Sequence, residues 1–329
     1  MPDFAADPTE TMIMLLGAPR SGTTWLGKIF DSHPDVIYRH EPDTIDRTGH
    51  PGVVPHGEVA GHVQAARAFL RRVAGSRMLK SSGQMPVFRK SYQTPSAHVA
   101  RLGMIAALRA AERVPPLVKM ARETVIPDFV RPDAAPRLVM KSVSSCGCAG
   151  LFAEALPHSR IVFILRDPFG QVASMMRGVS LGKLQARNGL DGLWEWEEAE
   201  QHGLTQARFE RLPPVEQYAW FWALLNERAV ADLAGCGHAR LVNYTDLCED
   251  PEGTARTLFD FAGLDWSAQT RAFLARSTAG SGESGYFRVV KNTAAVSRRW
   301  RVELDSEHKR RIRAVAEQTS LAPFLPELA

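Results

Sequence analysis

The sequence is poor in the features that mark membrane, secreted or metal-clamped proteins. It has four cysteines, Cys146, Cys148, Cys236 and Cys248, none in a C-x-x-C pair, and its single C-x-C has no second pair at metal-ligand spacing. That pattern fits a reduced, cytoplasmic chain and gives no support to a structural metal. No stretch approaches the roughly 18 apolar residues of a membrane span, which leaves at most peripheral membrane contact open. The segment before Met12 is acidic and lacks a positively charged region, so the apolar MIMLLGA reads as a buried strand and not as a signal peptide. Neither charge sign dominates: 40 basic against 36 acidic residues leave a net charge of +4. That balance suits an anionic small ligand and gives no ground for a nucleic-acid partner. No internal repeat is present, and the Ala- and Arg-rich composition points to a high-GC bacterial source.

What is present is an alternation of strands and helices. With 329 residues, 45% of them apolar, the chain can bury a sizeable core. Apolar runs bounded by turn signals occupy 12–17, 35–38, 137–141, 160–165 and 239–244. Several are apolar without alternation, as parallel strands covered on both faces are. Helical patterns follow at about 23–32, 147–156, 168–177, 217–234, 251–262 and 304–319. This order predicts an α/β fold: one P-loop-like domain over 1–329, its central parallel sheet flanked by helices. Segments of about 42–132 and 180–215 read as helical and loop insertions that form an acceptor site. The acidic-aromatic run LWEWEE, 193–198, fits either a lid helix or, preferably, an exposed acidic helix with Trp194 packed inward.

The stretch GAPRSGTTW, 17–25, is nearly a phosphate loop. Gly17 and Gly22 have the spacing of G-x-x-x-x-G-K-[ST], but Thr23 stands where the lysine belongs and Arg20 has appeared inside the loop. A strand, a glycine turn and a helix N-terminus bind anions because free N–H groups and the helix dipole converge there. Ser21, Thr23 and Thr24 add hydroxyl donors. Without the lysine the loop is ill suited to an ATP-dependent kinase.

The run RIVFILRDPFGQVASMM, 160–176, ends its strand in Arg166 where a P-loop ATPase would carry a metal-organising aspartate. Asp167 before Pro168 reads as a helix N-cap. Arg166, with Ser174 eight residues on, can clamp a second phosphate. Two phosphate cradles without a metal-organising acid suggest a nucleotide phosphorylated at two separate places. A nucleotide kinase on a degenerate loop and a non-catalytic nucleotide-binding protein are the alternatives.

These residues resemble the sulfotransferases that use 3′-phosphoadenosine-5′-phosphosulfate. PRSGTTW, 19–25, looks like their 5′-phosphosulfate loop, and Arg166 with Ser174 like their 3′-phosphate pair. VNYTDLCEDPEGTARTLFDFAGL, 242–264, is similar to a third family segment, and VVKNTAAVSRRW, 289–300, to the basic segment that closes over the donor. In motif pattern the nearest resemblance is to tyrosylprotein sulfotransferases and their bacterial relatives. DSHPDVIYRHEPD then places a catalytic glutamate at Glu41, and MKS, 140–142, places Lys141 near the sulfuryl group.

The resemblance implies the donor 3′-phosphoadenosine-5′-phosphosulfate, with 3′,5′-adenosine bisphosphate as product, a hydroxyl-bearing acceptor and no metal. Glu41 would be the general base, preferred over the adjacent His40, since neighbouring side chains diverge along a strand. Arg20 and Lys141 would stabilise charge on the leaving phosphate and sulfuryl oxygens. Donor contacts would come from Arg20, Ser21, Gly22, Thr23, Thr24, Arg166, Ser174, Lys291 and Arg298, with Arg299 a further candidate. Trp25 and Tyr244 resemble the adenine contacts, although Trp25 equally fits a core residue. The acceptor, a carbohydrate, lipid-linked sugar or small natural product, would be read by 42–132 and 180–215.

Overall fold

A computed structural model describes residues 7, 9–187, 189–279 and 293–326. Lys291, expected at the donor, lies outside the described residues.

Five strands form one parallel sheet: β1 (Ile13–Leu16), β2 (Val36–His40), β3 (Arg137–Ser142), β4 (Arg160–Leu165) and β5 (Ala239–Asn243), in the order β2-β3-β1-β4-β5. All five fall where the apolar runs predicted them. The absence of polar alternation has its physical cause in double burial. Ile13 and Leu15 of β1 face one core, while Met14 and Leu16 face the other. Leu16 at the end of β1 is in register with Ser142 on one side and Phe163 on the other, so β1 is central.

Helix α1 (Thr23–Asp31) leaves β1 for one face, where Leu26, Ile29 and Phe30 join Ile13 and Leu15. The helices after β3 and β4, named α4 (Ala149–Ala155) and α5 (Pro168–Ser180), pack on the other face. Loops leaving β1 and β3 therefore part to opposite sides, which opens a crevice at the carboxyl edge of the sheet. Asp167 caps α5 as expected, its carboxylate accepting from the Gly170 N–H at 2.6 Å.

The 42–132 insertion supplies α2 (Val59–Ala74), which adds Phe69, Leu70 and Val73 to the core of α4. It also supplies α3 (Pro95–Ala111), part of a small separate cluster with Leu79, Ile105 and Ile126. From 180 to 215 the chain is mostly turns. The run at 193–198 is not one lid helix: Leu193–Glu195 form a single 3₁₀ turn, Trp196 is extended, and a short helix spans Glu197–Gln201. Trp194 packs inward on Phe209 as expected, ring centroids 5.7 Å apart, but the acidic residues are not all exposed, because Glu198 is buried against Arg228. Arg228 belongs to α6 (Pro214–Leu233), whose Trp220 and Trp222 fill the core. Beyond β5 come α7 (Tyr244–Glu249) and α8 (Pro251–Ala262).

Candidate active site

The turn after β1 gathers backbone N–H groups and hydroxyls. Arg20 has a left-handed backbone (φ 74°) and Gly22 follows with φ 101°, a succession that turns backbone N–H groups inward. Among the described residues no side chain caps α1, and Trp25 is the first of its residues whose N–H donates to the Gly22 carbonyl, at 3.0 Å, so the Thr23 and Thr24 N–H groups are left to the turn. Ser21 is fully buried and does not line the cleft described below, and among the described residues its Oγ has no hydrogen-bond partner. A buried hydroxyl without a partner costs about 1–3 kcal/mol.

Arg20 links this loop to the neighbouring strand end. Its Nε donates to the Ser174 Oγ at 3.1 Å, and its carbonyl accepts from an Arg166 N–H at 3.0 Å. Arg166 is 7% exposed, its guanidinium lies 4.7 Å from the Tyr244 ring centroid, and its Nε is unpartnered. The Trp222 indole N–H fixes the Arg166 carbonyl at 2.8 Å. Arg20, Gly22, Thr23, Thr24, Trp25, Arg166, Ser174 and Tyr244 all line one cleft. Trp25 also acts as a core residue, its indole N–H donating to Ser277 at 3.1 Å. Arg298 does not line the cleft; it is exposed and pairs with Glu249 at 2.8 Å. Arg299 pairs with Glu303 at 2.6 Å.

Across the crevice, β2 and β3 present the second half of the site. His40 is in register with Lys141, and the Glu41 N–H donates to the Lys141 carbonyl at 2.8 Å. The Lys141 ammonium, 1% exposed, bonds the Glu41 carboxylate directly. Lys80 stands 3.9 Å from the other carboxylate oxygen. Burial raises the Glu41 pKa, but the Lys141 charge, with His40 and Lys80, brings it down to about 2. Burial likewise lowers the Lys141 pKa against the pull of Glu41.

The expectation that His40 and Glu41 diverge is corrected. Both line the cleft, with His40 Nε2 3.8 Å from a Glu41 carboxylate oxygen. The strand alternation ends at Glu41 because its backbone is left-handed (φ 45°, ψ 50°) and turns the chain into the 3₁₀ turn Pro42–Thr44. Burial, then the nearby Lys141 charge, pushes His40 down to about 3, so it is neutral. Its Nδ1 shares a hydrogen bond with the Tyr38 hydroxyl at 3.0 Å.

Sequence reading missed the group that holds this turn. Asp43 is fully buried and accepts from Ser142 and from Ser145, the latter at 2.8 Å. His50 Nε2 lies 3.1 Å from the Ser145 Oγ. This polar cluster staples the segment after Glu41 to the end of β3. The only local signal was a Pro-Asp turn, which is common and says nothing about a partner about a hundred residues away. Cys146 lies beneath it, its thiol pushed up to about 12 by burial, so it is no nucleophile at neutral pH.

The cleft has a volume of about 770 Å³, in the upper part of the range of about 300–1,000 Å³ typical of small-molecule sites. Beyond Glu41 it continues between residues 44–53 and 184–196, joined by parts of α5 and α6. Both insertions thus reach the cleft that the phosphate loop opens. Among the described residues, one group could chelate a metal, namely His56, Glu197 and Glu198. It lies outside the cleft lining, and the Arg228 guanidinium is already paired with both glutamates at 3.3 Å.

Residues 12–268 match the protein-family model described as "Sulfotransferase family". Carbohydrate sulfotransferase 5 of Mus musculus is 25% identical over 341 aligned residues, covering 91% of this chain and 77% of that protein. Carbohydrate sulfotransferase 6 of Homo sapiens is 25% identical, covering 94% of this chain and 79% of that protein. Among solved structures, the sulfotransferase domain from the Synechococcus PCC 7002 olefin synthase aligns with a TM-score of 0.47 at 17% identity, over 97% of this chain and 96% of that one.

Proposed function

Because the chain belongs to the sulfotransferase family, it is an enzyme that moves sulfuryl groups to an acceptor hydroxyl, and we propose that its donor is 3′-phosphoadenosine-5′-phosphosulfate and its acceptor a carbohydrate hydroxyl. One observation carries the reading. Thr23 and Thr24 at an uncapped helix N-terminus, and Arg166, whose Nε has no partner among the described residues, line one cleft with the Glu41–Lys141 carboxylate–ammonium pair. The relatives named as carbohydrate sulfotransferases support the acceptor class.

The residues present fit the donor. The turn Arg20–Thr24 offers N–H groups and hydroxyls to a 5′-phosphosulfate, while Arg166 and Ser174 suit the 3′-phosphate, and the Tyr244 and Trp25 rings suit a purine. The donor supplies a sulfuryl group whose oxygens carry less negative charge than those of a terminal phosphoryl. Glu41 is the base: ionised, strand-anchored, and within the same cleft as the loop. Lys141 holds positive charge beside it. An ammonium shared between Glu41 and the transferring group binds the carboxylate less tightly and so leaves it more basic. Asp43, buried one turn on, keeps the Glu41 turn in place.

Thermal melting with 3′,5′-adenosine bisphosphate against ATP tests the donor site. The bisphosphate is expected to raise Tm by mass action, and Arg166→Ala or Ser174→Ala to weaken it far more than adenosine 5′-phosphosulfate. Preference for ATP, or equal weakening of both ligands, overturns the reading.

A further inference from the structure

The acceptor half of the cleft has two walls of opposite chemistry. One wall, from Thr44, Arg47, His50 and Lys80, is polar and basic. The other set of lining side chains is mostly apolar and comes from three separate elements. α6 presents Phe221 and Leu225, α5 presents Met175 and Val179, and the 184–196 segment adds Leu184 and Trp196. Phe221 and Leu225 lie four residues apart on α6 and so share one helix face. Met175 and Val179 have the same spacing on α5. Each helix thus brings two neighbouring apolar side chains into the lining, with Arg177, Gln185 and Tyr218 beside them.

The apolar lining also has a closed end. Val53, from the polar segment, and Trp196 both reach Gly147, where an added Cβ would lie 2.7 Å and 3.1 Å from their side chains. Its other end opens toward Glu41, since all of these side chains line the cleft that contains the carboxylate. A free sugar has hydroxyls on every edge and would leave many of them unpaired against this wall. A molecule with a hydroxyl-rich head and an alkyl or aryl arm would leave none.

Resting on the carbohydrate-hydroxyl reading above, we propose that the acceptor is an amphiphilic glycoside, its sugar held by the polar wall at Glu41 and its aglycone lying against Phe221, Leu225, Val179 and Trp196. The arm contributes uniform binding, which lowers KM and leaves kcat nearly unchanged.

The test uses the full-length enzyme and n-alkyl β-glucosides and β-galactosides from methyl to octyl, kept below micelle formation. Sulfuryl transfer is measured where it occurs, and dissociation constants by calorimetry with 3′,5′-adenosine bisphosphate bound. KM or Kd is expected to fall with each methylene, by up to about fourfold per buried group. Val179→Ser and Leu184→Ser, both only half-buried, are expected to flatten that dependence. Values independent of chain length, or octyl glycosides that neither react nor bind, overturn the proposal. Bisphosphate stabilisation of the same protein is scored separately, so a failed donor reading is distinguishable from a failed acceptor reading.

Discussion

Glu41 combines a left-handed backbone, a buried ammonium partner and a neutral histidine neighbour, and each bears on what it can do as a base. Among the described residues three non-glycine positions have positive φ, namely Arg20, Glu41 and Phe129. Two of them sit in the cleft. Each left-handed residue costs on the order of 1–2 kcal/mol, a strain that persists because the Lys141 pair and the Asp43 cluster hold the turn. Glu41→Gln is expected to lower kcat by about 10²–10⁴-fold while bisphosphate binding is kept, as read by titration calorimetry. The pH profile separates Glu41 from His40. Both pKa values are shifted down, to about 2 and about 3, so both groups contribute stability above their unfolded values of about 4.3 and 6.5 and lose it as pH falls through the folded ones. In the active protein neither titrates near neutrality. An acidic limb in kcat/KM near pH 6.5 that disappears in His40→Asn would make the histidine the base instead.

At the scale of the element, the phosphate loop depends on one glycine more than on any side chain. Gly22 has φ 101°, and an added Cβ would overlap the Tyr244 ring. Gly22→Ala is expected to cost more than about 1–2 kcal/mol and to abolish bisphosphate stabilisation. Gly57→Ala, where nothing lies within 4 Å of the added carbon, is the control and should leave Tm nearly unchanged. A Gly22→Ala protein that still binds the bisphosphate normally would show that the turn does not shape the anion site. The strand and helix boundaries of this region were legible because local rules set them. A continuous apolar run gave β1, and an Asp-Pro pair gave the start of α5. The conformation of 193–198 was not, since its glutamates are held by Arg228, thirty residues away along the chain.

At the scale of the whole molecule, the insertions are tied together by one charge cluster built around the buried Arg228. Arg228 is 2% exposed, pairs with Glu197 and Glu198 at 3.3 Å, lies 3.6 Å from Asp232, and donates to the Val54 carbonyl. His56 joins from the other insertion, 2.6 Å from Glu197 and 3.0 Å from Asp232. The cluster thereby joins the segments around His56 and Glu198 to α6. Arg228→Met removes the only guanidinium paired to these carboxylates among the described residues and is expected to cost about 3–5 kcal/mol, measured by denaturant unfolding. Adding Glu198→Gln should recover part of that loss. No recovery would mean that the arginine acts through its packing and not through its charge.

The amino-acid order alone made the sheet and the glycine turn after β1 legible. These follow from contiguous patterns: apolar runs and glycine spacing. Only the tertiary structure decided how the side chains pair. Lys141 meets Glu41, and Arg20 meets Ser174, across separations of 100 and 154 residues, and no local rule encodes such distances. The same holds for the acceptor cleft. Its lining comes from residues 44–53 and Lys80 of one insertion, from 184–196 of the other, and from α5 and α6, segments far apart in the chain.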